Sequence, residues 1–333
     1  MGSRVAAQAK LESEIVEGYL TFTQTIIMRN HHTSSSLILC FLLTLTTHHQ
    51  LESKSFPVRE VEITESELGF DHANAQQGVL VDIFSGSIEV VGYDGDSVGI
   101  RIKRTIEARS EDVLQTAKDE VHLDIDSADN FVRIFEEAPY RNDSGRIDYR
   151  GDRYYGFSNS FEVSLMVPKR CSLILQMVNK GDVVVTETDG EFQVSNVNGK
   201  VIMQHIGGHG KATSVNGRVE VGFQDNPTED CFFKTINGDI KVEFQPTLSA
   251  DVLVKTFNGN AYTDFETKSI PTDKWNELRS IKKLEKKNGF YSYKTNGFSG
   301  VRIGEGGPSL RFDTLNGDVR IVERKDAEEL VAL

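Results

Sequence analysis

Residues 212–221 read ATSVNGRVEV, and residues 233–242 read FKTINGDIKV. Each stretch has Ser or Thr three positions before Gly, Asn directly before it, and apolar residues two and four positions after it. Apolar and polar residues alternate on both sides of the Asn-Gly pair, which is the period of a strand with one face buried. Each stretch therefore reads as strand, corner, strand.

The same phase recurs along the C-terminal half. Asn-Gly stands at Asn198-Gly199, Asn216-Gly217, Asn237-Gly238, Asn258-Gly259, Asn296-Gly297 and Asn316-Gly317, preceded by the related Asn179-Lys180-Gly181. From Gly181 the glycines are spaced by 18, 18, 21, 21, 38 and 20 residues. Two after Gly come Val183, Val201, Val219, Ile240, Ala261, Ser299 and Val319; five before come Ala212, Phe233, Val254 and Phe312. Asn-Gly alone suits a type I′ hairpin, but hairpins do not require one phase to persist through so many units. One unit cannot bury its apolar face, whereas stacked units can. The sequence thus predicts an all-β chain, a parallel β-solenoid (β-helix) of about 18–21-residue turns with corners about 4.8 Å apart. Ser214, Thr235, Thr256 and Thr314 form one column, and the asparagines form an amide ladder of the kind seen in stacked strands. In neighbouring turns Arg218 would face Asp239, and Glu220 would face Lys241, each pair worth roughly 0.2–1 kcal/mol.

The same register makes a prediction for Cys171 and Cys231. Three turns separate their corners, about 14 Å along the stack, beyond the roughly 7 Å that a disulfide spans. Both are expected as free thiols, Cys231 as a small buried hydrophobe.

The long step between Gly259 and Gly297 carries an insertion at 265–290. Trp275, Leu278, Ile281 and Leu284 have helical spacing after Pro271-Thr272-Asp273, which predicts a helix near 269–287. It reads as a lid on the flank or as a basic partner-binding handle. In the less regular part, 56–176, Gly86, Ile88 and Val90 repeat the Gly-plus-two, Gly-plus-four pattern and look like a first turn. Ser110-Glu111-Asp112 predicts a short helix near 110–120 with Ser110 as its N-cap. The regular turns fill 177–324, and a tail spans 325–333.

The stretches Thr235-Ile236-Asn237-Gly238-Asp239-Ile240, Val167-Pro168-Lys169 and Gly304-Glu305-Gly306-Gly307-Pro308 followed by Thr314-Leu315-Asn316-Gly317-Asp318-Val319 carry a resemblance. They resemble the bacterial putative-adhesin, β-strand-repeat domains of unknown function, over roughly 78–322. The resemblance implies an exported solenoid, adhesin-like, with no established catalytic residues.

The 333 residues include 37 Lys+Arg and 50 Asp+Glu, a formal net charge of -13, the wrong sign for binding a phosphate backbone. Residues 37–45 read LILCFLLTL, too short to span a bilayer at about 20 residues. With Met28-Arg29 before it and His48-His49-Gln50 after it, 28–50 resembles a secretory signal peptide. Residues 1–27 then read as upstream leader from a mis-assigned start. Leu39 before Cys40 argues against a lipid-modified cysteine. The mature chain is expected to be exported, periplasmic, cell-surface or secreted, without an integral membrane span.

The polar, aromatic loop 141–157 holds the candidate interaction residues Arg146, Tyr149, Arg150, Arg153, Tyr154 and Tyr155. Tyr and Arg concentrate at binding hot spots, and tyrosines stack on sugars; alternatively the loop folds back as a cap over the first strand. Arg150-Gly151-Asp152 matches a receptor-binding tripeptide that is common by chance. Asn142-Asp143-Ser144 fits a glycosylation sequon. His205 and His209 have metal spacing only on a helix, and Gly207-Gly208 between them breaks one. Gly304-Glu305-Gly306-Gly307 lacks the Lys-Ser/Thr of a phosphate loop and reads as a corner. No catalytic residue, metal or cofactor is expected. The leading function is a non-catalytic envelope or surface module that binds an envelope protein or a surface glycan. An envelope-stress sensor or scaffold with a membrane partner is the alternative. A glycan-cleaving β-helix enzyme, which needs clustered carboxylates, is a third.

Overall fold

The structure, a computed structural model, describes residues 56–70, 76–128, 130–142, 146–270 and 298–325, with the backbone of 285–287 and 290–292. The leader 1–27, the signal-like segment 28–50, Cys40, Trp275, Asp143 and Asn296-Gly297 lie outside them. In chain order the elements begin with β1 (Val58–Gly69), β2 (Gly78–Tyr93), β3 (Ser97–Ala108), α1 (Glu111–Glu120), β4 (His122–Ala128), β5 (Phe131–Glu137), α2 (Asp152–Tyr155), β6 (Phe157–Pro168) and β7 (Ser172–Thr186). There follow β8 (Phe192–Asn196), β9 (Val201–Ile206), β10 (Gly210–Ser214), β11 (Val219–Phe223), β12 (Cys231–Asn237), β13 (Ile240–Phe244), β14 (Ala250–Asn258) and β15 (Ala261–Thr263). The chain closes with β16 (Thr267–Ser269), β17 (Glu285–Lys287), β18 (Phe290–Ser292), β19 (Ser299–Ile303), β20 (Ser309–Asn316) and β21 (Val319–Glu323). The chain divides into two compact units, the smaller built around 106–122 and 137–158 and the larger from 61–105, 123–136 and 159 onward.

The fold is all-β. Nineteen strands of the larger sheet form one continuous mixed array. Within the larger unit most ladders are parallel and join equivalent positions of successive repeats. Ile88 pairs with Val183, Val183 with Val201, Val201 with Val219, Val219 with Ile240, and Ile240 with Val319. All six are completely buried. On the other side of the corner Leu175, Val194, Ala212, Phe233 and Phe312 pair in the same way and are also buried. The Phe233 and Phe312 rings stack at 5.2 Å. β2 confirms the early turn: its first half pairs with β5 and its second half with β6, while both halves pair with β7.

The corner is built as the sequence predicts, with side-chain amides in line. Asn216 donates to Asn198 (2.9 Å), Asn237 to Asn216 (2.8 Å), Asn316 to Asn237 (2.7 Å) and Asn258 to Asn316 (2.8 Å). Three residues before each glycine, Ser214 donates to the Gly199 carbonyl (2.8 Å), Thr235 to Gly217 (2.7 Å), Thr314 to Gly238 (3.1 Å) and Thr256 to Gly317 (3.1 Å). A Cβ on Gly217 would sit 2.0 Å from the Gly199 carbonyl oxygen, and one on Gly238 would sit 2.3 Å from that of Gly217. The glycines are there because the next corner is too close for a side chain.

That ladder is out of sequence order. Turn 316–317 lies between turns 237–238 and 258–259, because β20 pairs with β12 on one side and β14 on the other. A uniformly parallel stack is also not what forms. β19 runs antiparallel to β14 and to β16, so the sheet is mixed and the strand after Asn296-Gly297 is not a parallel turn. Gly304–Pro308 is correspondingly a chain reversal rather than a stacked corner. Gly304 (φ 57) and Gly306 (φ 83) adopt left-handed backbone, which glycine enters without steric penalty. Asp251 fixes this exception: it is 1% exposed and receives two hydrogen bonds from Arg302 at 2.7 and 3.0 Å, directly across the antiparallel register. The expected helix near 269–287 is corrected at its C-terminal end. Glu285–Lys287 is a strand paired antiparallel with Phe290–Ser292, since the β-forming Phe290-Tyr291 run gives it a partner. The rest of the insertion lies outside the described residues.

The facing charges are in register, Glu220 with Lys241. The closest ion pairs, however, run along the strands, Arg218 with Glu220 (2.8 Å) and Lys241 with Glu243 (2.6 Å), because i and i+2 share a strand face. In the smaller unit α1 forms as expected. Ser110 caps it by accepting from the Val113 N–H at 3.4 Å, and Leu114 and Ala117 form its buried face.

Gly217→Ala and Gly222→Ala make a controlled contrast. Gly217→Ala is expected to lower stability by on the order of 2–4 kcal/mol through the carbonyl collision. A Cβ at Gly222, with nothing nearer than 4.0 Å, is expected to raise stability by about 0.5–1 kcal/mol. Urea unfolding midpoints of the two variants read out both.

Candidate functional site

The loop of the smaller unit closes on itself. Its N-terminal end is pinned by Asp148 N–H to the Tyr140 carbonyl (2.7 Å) and Arg146 N–H to the Asn142 side chain (2.9 Å). Its C-terminal end is pinned by Arg109 N–H to the Gly156 carbonyl (3.0 Å). Between them five rings pack together. Tyr149 stacks on Tyr155 at 5.5 Å and 15°; Tyr140 meets Tyr149 and Tyr155 edge-on at 5.1 and 5.6 Å; Phe157 lies 5.8 Å from Tyr155. Tyr154 meets Tyr155 edge-on at 5.0 Å and is 61% exposed. Tyr140 and Phe157 are the buried base, Tyr149 and Tyr155 are half-buried, and Tyr154 is the outer face.

Arg150 lies over the Tyr154 ring at 5.2 Å, and its guanidinium donates to the Tyr154 hydroxyl at 3.3 Å. Asp148 sits 3.6 Å from the same guanidinium. Tyr154 and then Asp148 hold the Arg150 pKa above its ordinary value, so it is a fixed cation. Burial pushes the Tyr155 phenol up as well, keeping it neutral. Tyr149 donates to the Asp152 carboxylate, which ties Asp152 of the Arg150-Gly151-Asp152 tripeptide to the ring cluster. Of the six residues expected here, Tyr149, Arg150, Tyr154 and Tyr155 come together; Arg146 and Arg153 are exposed. The buried Tyr140 was not legible as a member, since it precedes the polar run. Tyr154 joins the cluster through its edge-on contact with Tyr155.

A second concavity, of about 460 Å³, opens on the outer face of the larger unit and is lined by Gln204, His205, Glu220, Lys241, Glu243 and Arg324 among others. Gly222 stands between Gln204 and Glu243 in the outward column, and its missing side chain leaves the floor open. The signal was present in the sequence as a glycine in a column of long polar residues. His205 (φ 52) is an inserted bulge residue: Gly222 pairs with Gln204 and Phe223 with Ile206, skipping it. The bulge aims its ring at Glu187, 3.2 Å away, whereas His209 lies 3.4 Å from Glu229. The two histidines therefore face different carboxylates and do not share a ligand. Among the described residues no group of three or more His, Cys, Asp or Glu converges as a metal site.

No family model and no curated protein matches the sequence. The chain is similar to a solved structure of a putative cell adhesion protein from Clostridium sporogenes, at 9% identity and a TM-score of 0.40, covering 80% of this chain and 100% of that one. It is also similar to a putative adhesin from Bacteroides fragilis (10% identity, 79% and 97% covered, TM-score 0.35). A putative lipid binding protein from Parabacteroides distasonis is a third (11% identity, 80% and 97% covered, TM-score 0.34). Several of its structural neighbours are thus putative adhesins. No helix among the described residues is long and apolar enough to cross a membrane.

Cys171 and Cys231 are both free and buried. Leu173, two residues after Cys171, pairs with Phe192, Phe192 with Gly210, and Gly210 with Cys231, which gives the three strand spacings that keep them apart. Burial pushes both thiols from 9.0 up to about 12. An acid whose folded pKa is raised favours the folded state only while it stays protonated in both states. The contribution is therefore complete below about pH 9 and is lost as pH rises toward 12. Both thiols are expected to ignore an aromatic disulfide reagent at pH 8 in the native protein and to react once it is denatured. Thermal stability is expected to fall above pH 9, less steeply in Cys171→Ala or Cys231→Ala.

Proposed function

We propose that the stacked turns form an exported, non-catalytic β-solenoid, parallel except where β19 runs antiparallel, that works as an adhesin-like interaction module of the cell envelope or surface. The observation that carries this reading is the Arg150–Tyr154 pair. It presents an exposed ring and a fixed cation beside a packed aromatic cluster, and exposed Tyr and Arg side chains of this kind are the ones that concentrate at binding hot spots. The expected partner is an envelope protein or a surface glycan.

A non-catalytic role is supported by the state of the carboxylates in the outer concavity. Glu220 is held by Arg218 at 2.8 Å and Glu243 by Lys241 at 2.6 Å. Both carboxylates are thus engaged by cations two residues earlier in the chain. Nucleic acid is opposed by the net charge of -13.

The test is binding of the full chain to an array of bacterial and host surface glycans and to immobilised envelope fractions. Tyr154→Ala and Arg150→Ala are each expected to weaken binding about tenfold, with an unchanged unfolding midpoint because both side chains are exposed. Full binding by the double variant would refute the assignment of this face.

A further inference from the structure

Two departures from the repeat meet at one place on the larger unit. The first is Gly222, inside β11. At the corners a Cβ would strike a backbone oxygen of the next turn, 2.0 Å away for Gly217 and 2.3 Å for Gly238. At Gly222 the nearest atoms to a Cβ, on the Glu243 carboxylate and the Met203 carbonyl, are 4.0 Å away. A glycine inside a strand weakens it, and where no other backbone comes close it marks a place where a ligand does. The second is the bulge at His205, which inserts one residue after Gln204 and brings His205 into the same concavity. Bulges re-aim side chains beside binding and active sites. The space between the two is about 460 Å³, within the range of about 300–1,000 Å³ for ligand pockets.

The lining selects the ligand. Met203 and Val221 turn their side chains into the core, 0% and 2% exposed, so among the described residues every exposed side chain of the lining is polar or charged. A peptide would find no apolar anchor here. Strand addition is closed as well, because β11 is paired on both sides, with β9 and β13. Charge is balanced, with Glu220, Glu243 and Glu323 against Lys241, Arg324 and Lys325. Lys241 holds Glu243 at 2.6 Å and Arg218 holds Glu220 at 2.8 Å. An ionic ligand would have to displace a partner already in place.

We propose that this concavity binds a neutral carbohydrate, one pyranose unit of a glycan, over the Gly222 backbone. Carboxylates accept, Lys and Arg donate, and the Gln204 amide does both; a sugar hydroxyl also does both. A hydroxyl set between Glu243 and Lys241 makes two charge-assisted hydrogen bonds. Arg324 is fixed as a further donor, its backbone N–H on the Phe244 carbonyl (2.8 Å) and its guanidinium on that of Phe223 (3.3 Å). The site uses no residue of the Arg150–Tyr154 face and stands without that reading.

Calorimetric titration of the full chain with glucose and N-acetylglucosamine hexamers tests this, with a galacturonic acid hexamer as the charged counterpart. A neutral hexamer is expected to bind with a Kd of about 0.1–1 mM. That Kd is expected to change less than about twofold between roughly 50 and 500 mM salt, as no net charge is engaged. Gly222→Gln continues the outward column of Gln204 and Glu243 into the concavity. It is expected to weaken binding at least about tenfold with no fall in the urea unfolding midpoint. Gln204→Ala, at an exposed position, is expected to weaken it about threefold. The Arg150→Ala/Tyr154→Ala double variant is expected to bind as the parent does. No binding of either neutral hexamer up to about 10 mM, tighter binding of the galacturonic acid hexamer, or full binding by both Gly222→Gln and Gln204→Ala would overturn the proposal. Loss of binding in the double variant would also overturn it, by assigning the sugar to the Arg150–Tyr154 face instead.

Discussion

Among the described residues each Asn-Gly corner lies directly against the corner of the adjacent turn, and that close approach is the constraint on which the other features depend. The carbonyl of one glycine occupies the space where a Cβ of the next would be, 2.0 Å from it at Gly217. With the corners this close, the asparagine amides meet at 2.7–2.9 Å and form a continuous chain. The hydroxyls of Ser214, Thr235, Thr314 and Thr256 then reach the glycine carbonyls of the neighbouring turn. The Val and Ile column two residues further on is in register for the same reason.

Because the corners are chemically equivalent, nothing in a corner dictates which repeat follows which. The choice is made elsewhere, by Asp251 and Arg302, which pair across β14 and β19 and hold the returning chain antiparallel. That pair places β19 beside β14, and the Gly304–Pro308 reversal then feeds β20 into the slot between β12 and β14. Among the described residues the displaced turn 258–259 is the last of the ladder, with Ala261 and Thr263 in register beside Val319 and Ile321.

What the sequence made legible follows the same division. Features set by period were readable: the corner columns, the buried Val faces, the early turn at Gly86 and the separation of Cys171 from Cys231 all depend only on phase. Features set by a single long-range pair were not. Asp251 and Arg302 lie 51 residues apart and look like any two surface charges, so the inserted turn and the antiparallel strand were missed. The candidate site shows the same split. The Arg and Tyr content of the loop was evident, but Tyr140 gives no local sign that it would join Tyr149 and Tyr155. Gly222 and the bulged His205 shape a concavity that becomes apparent only when three strands are laid side by side.

The central claim is that the corners stack in the order 181, 199, 217, 238, 317, 259. Paired spin labels measure it directly, one at Asp182 and the other at either Asp318 or Asn260. At about 4.8 Å per turn, the 182–318 distance is predicted near 19 Å and the 182–260 distance near 24 Å. A shorter distance to 260 than to 318 would mean that the turns stack in sequence order, and would contradict the account.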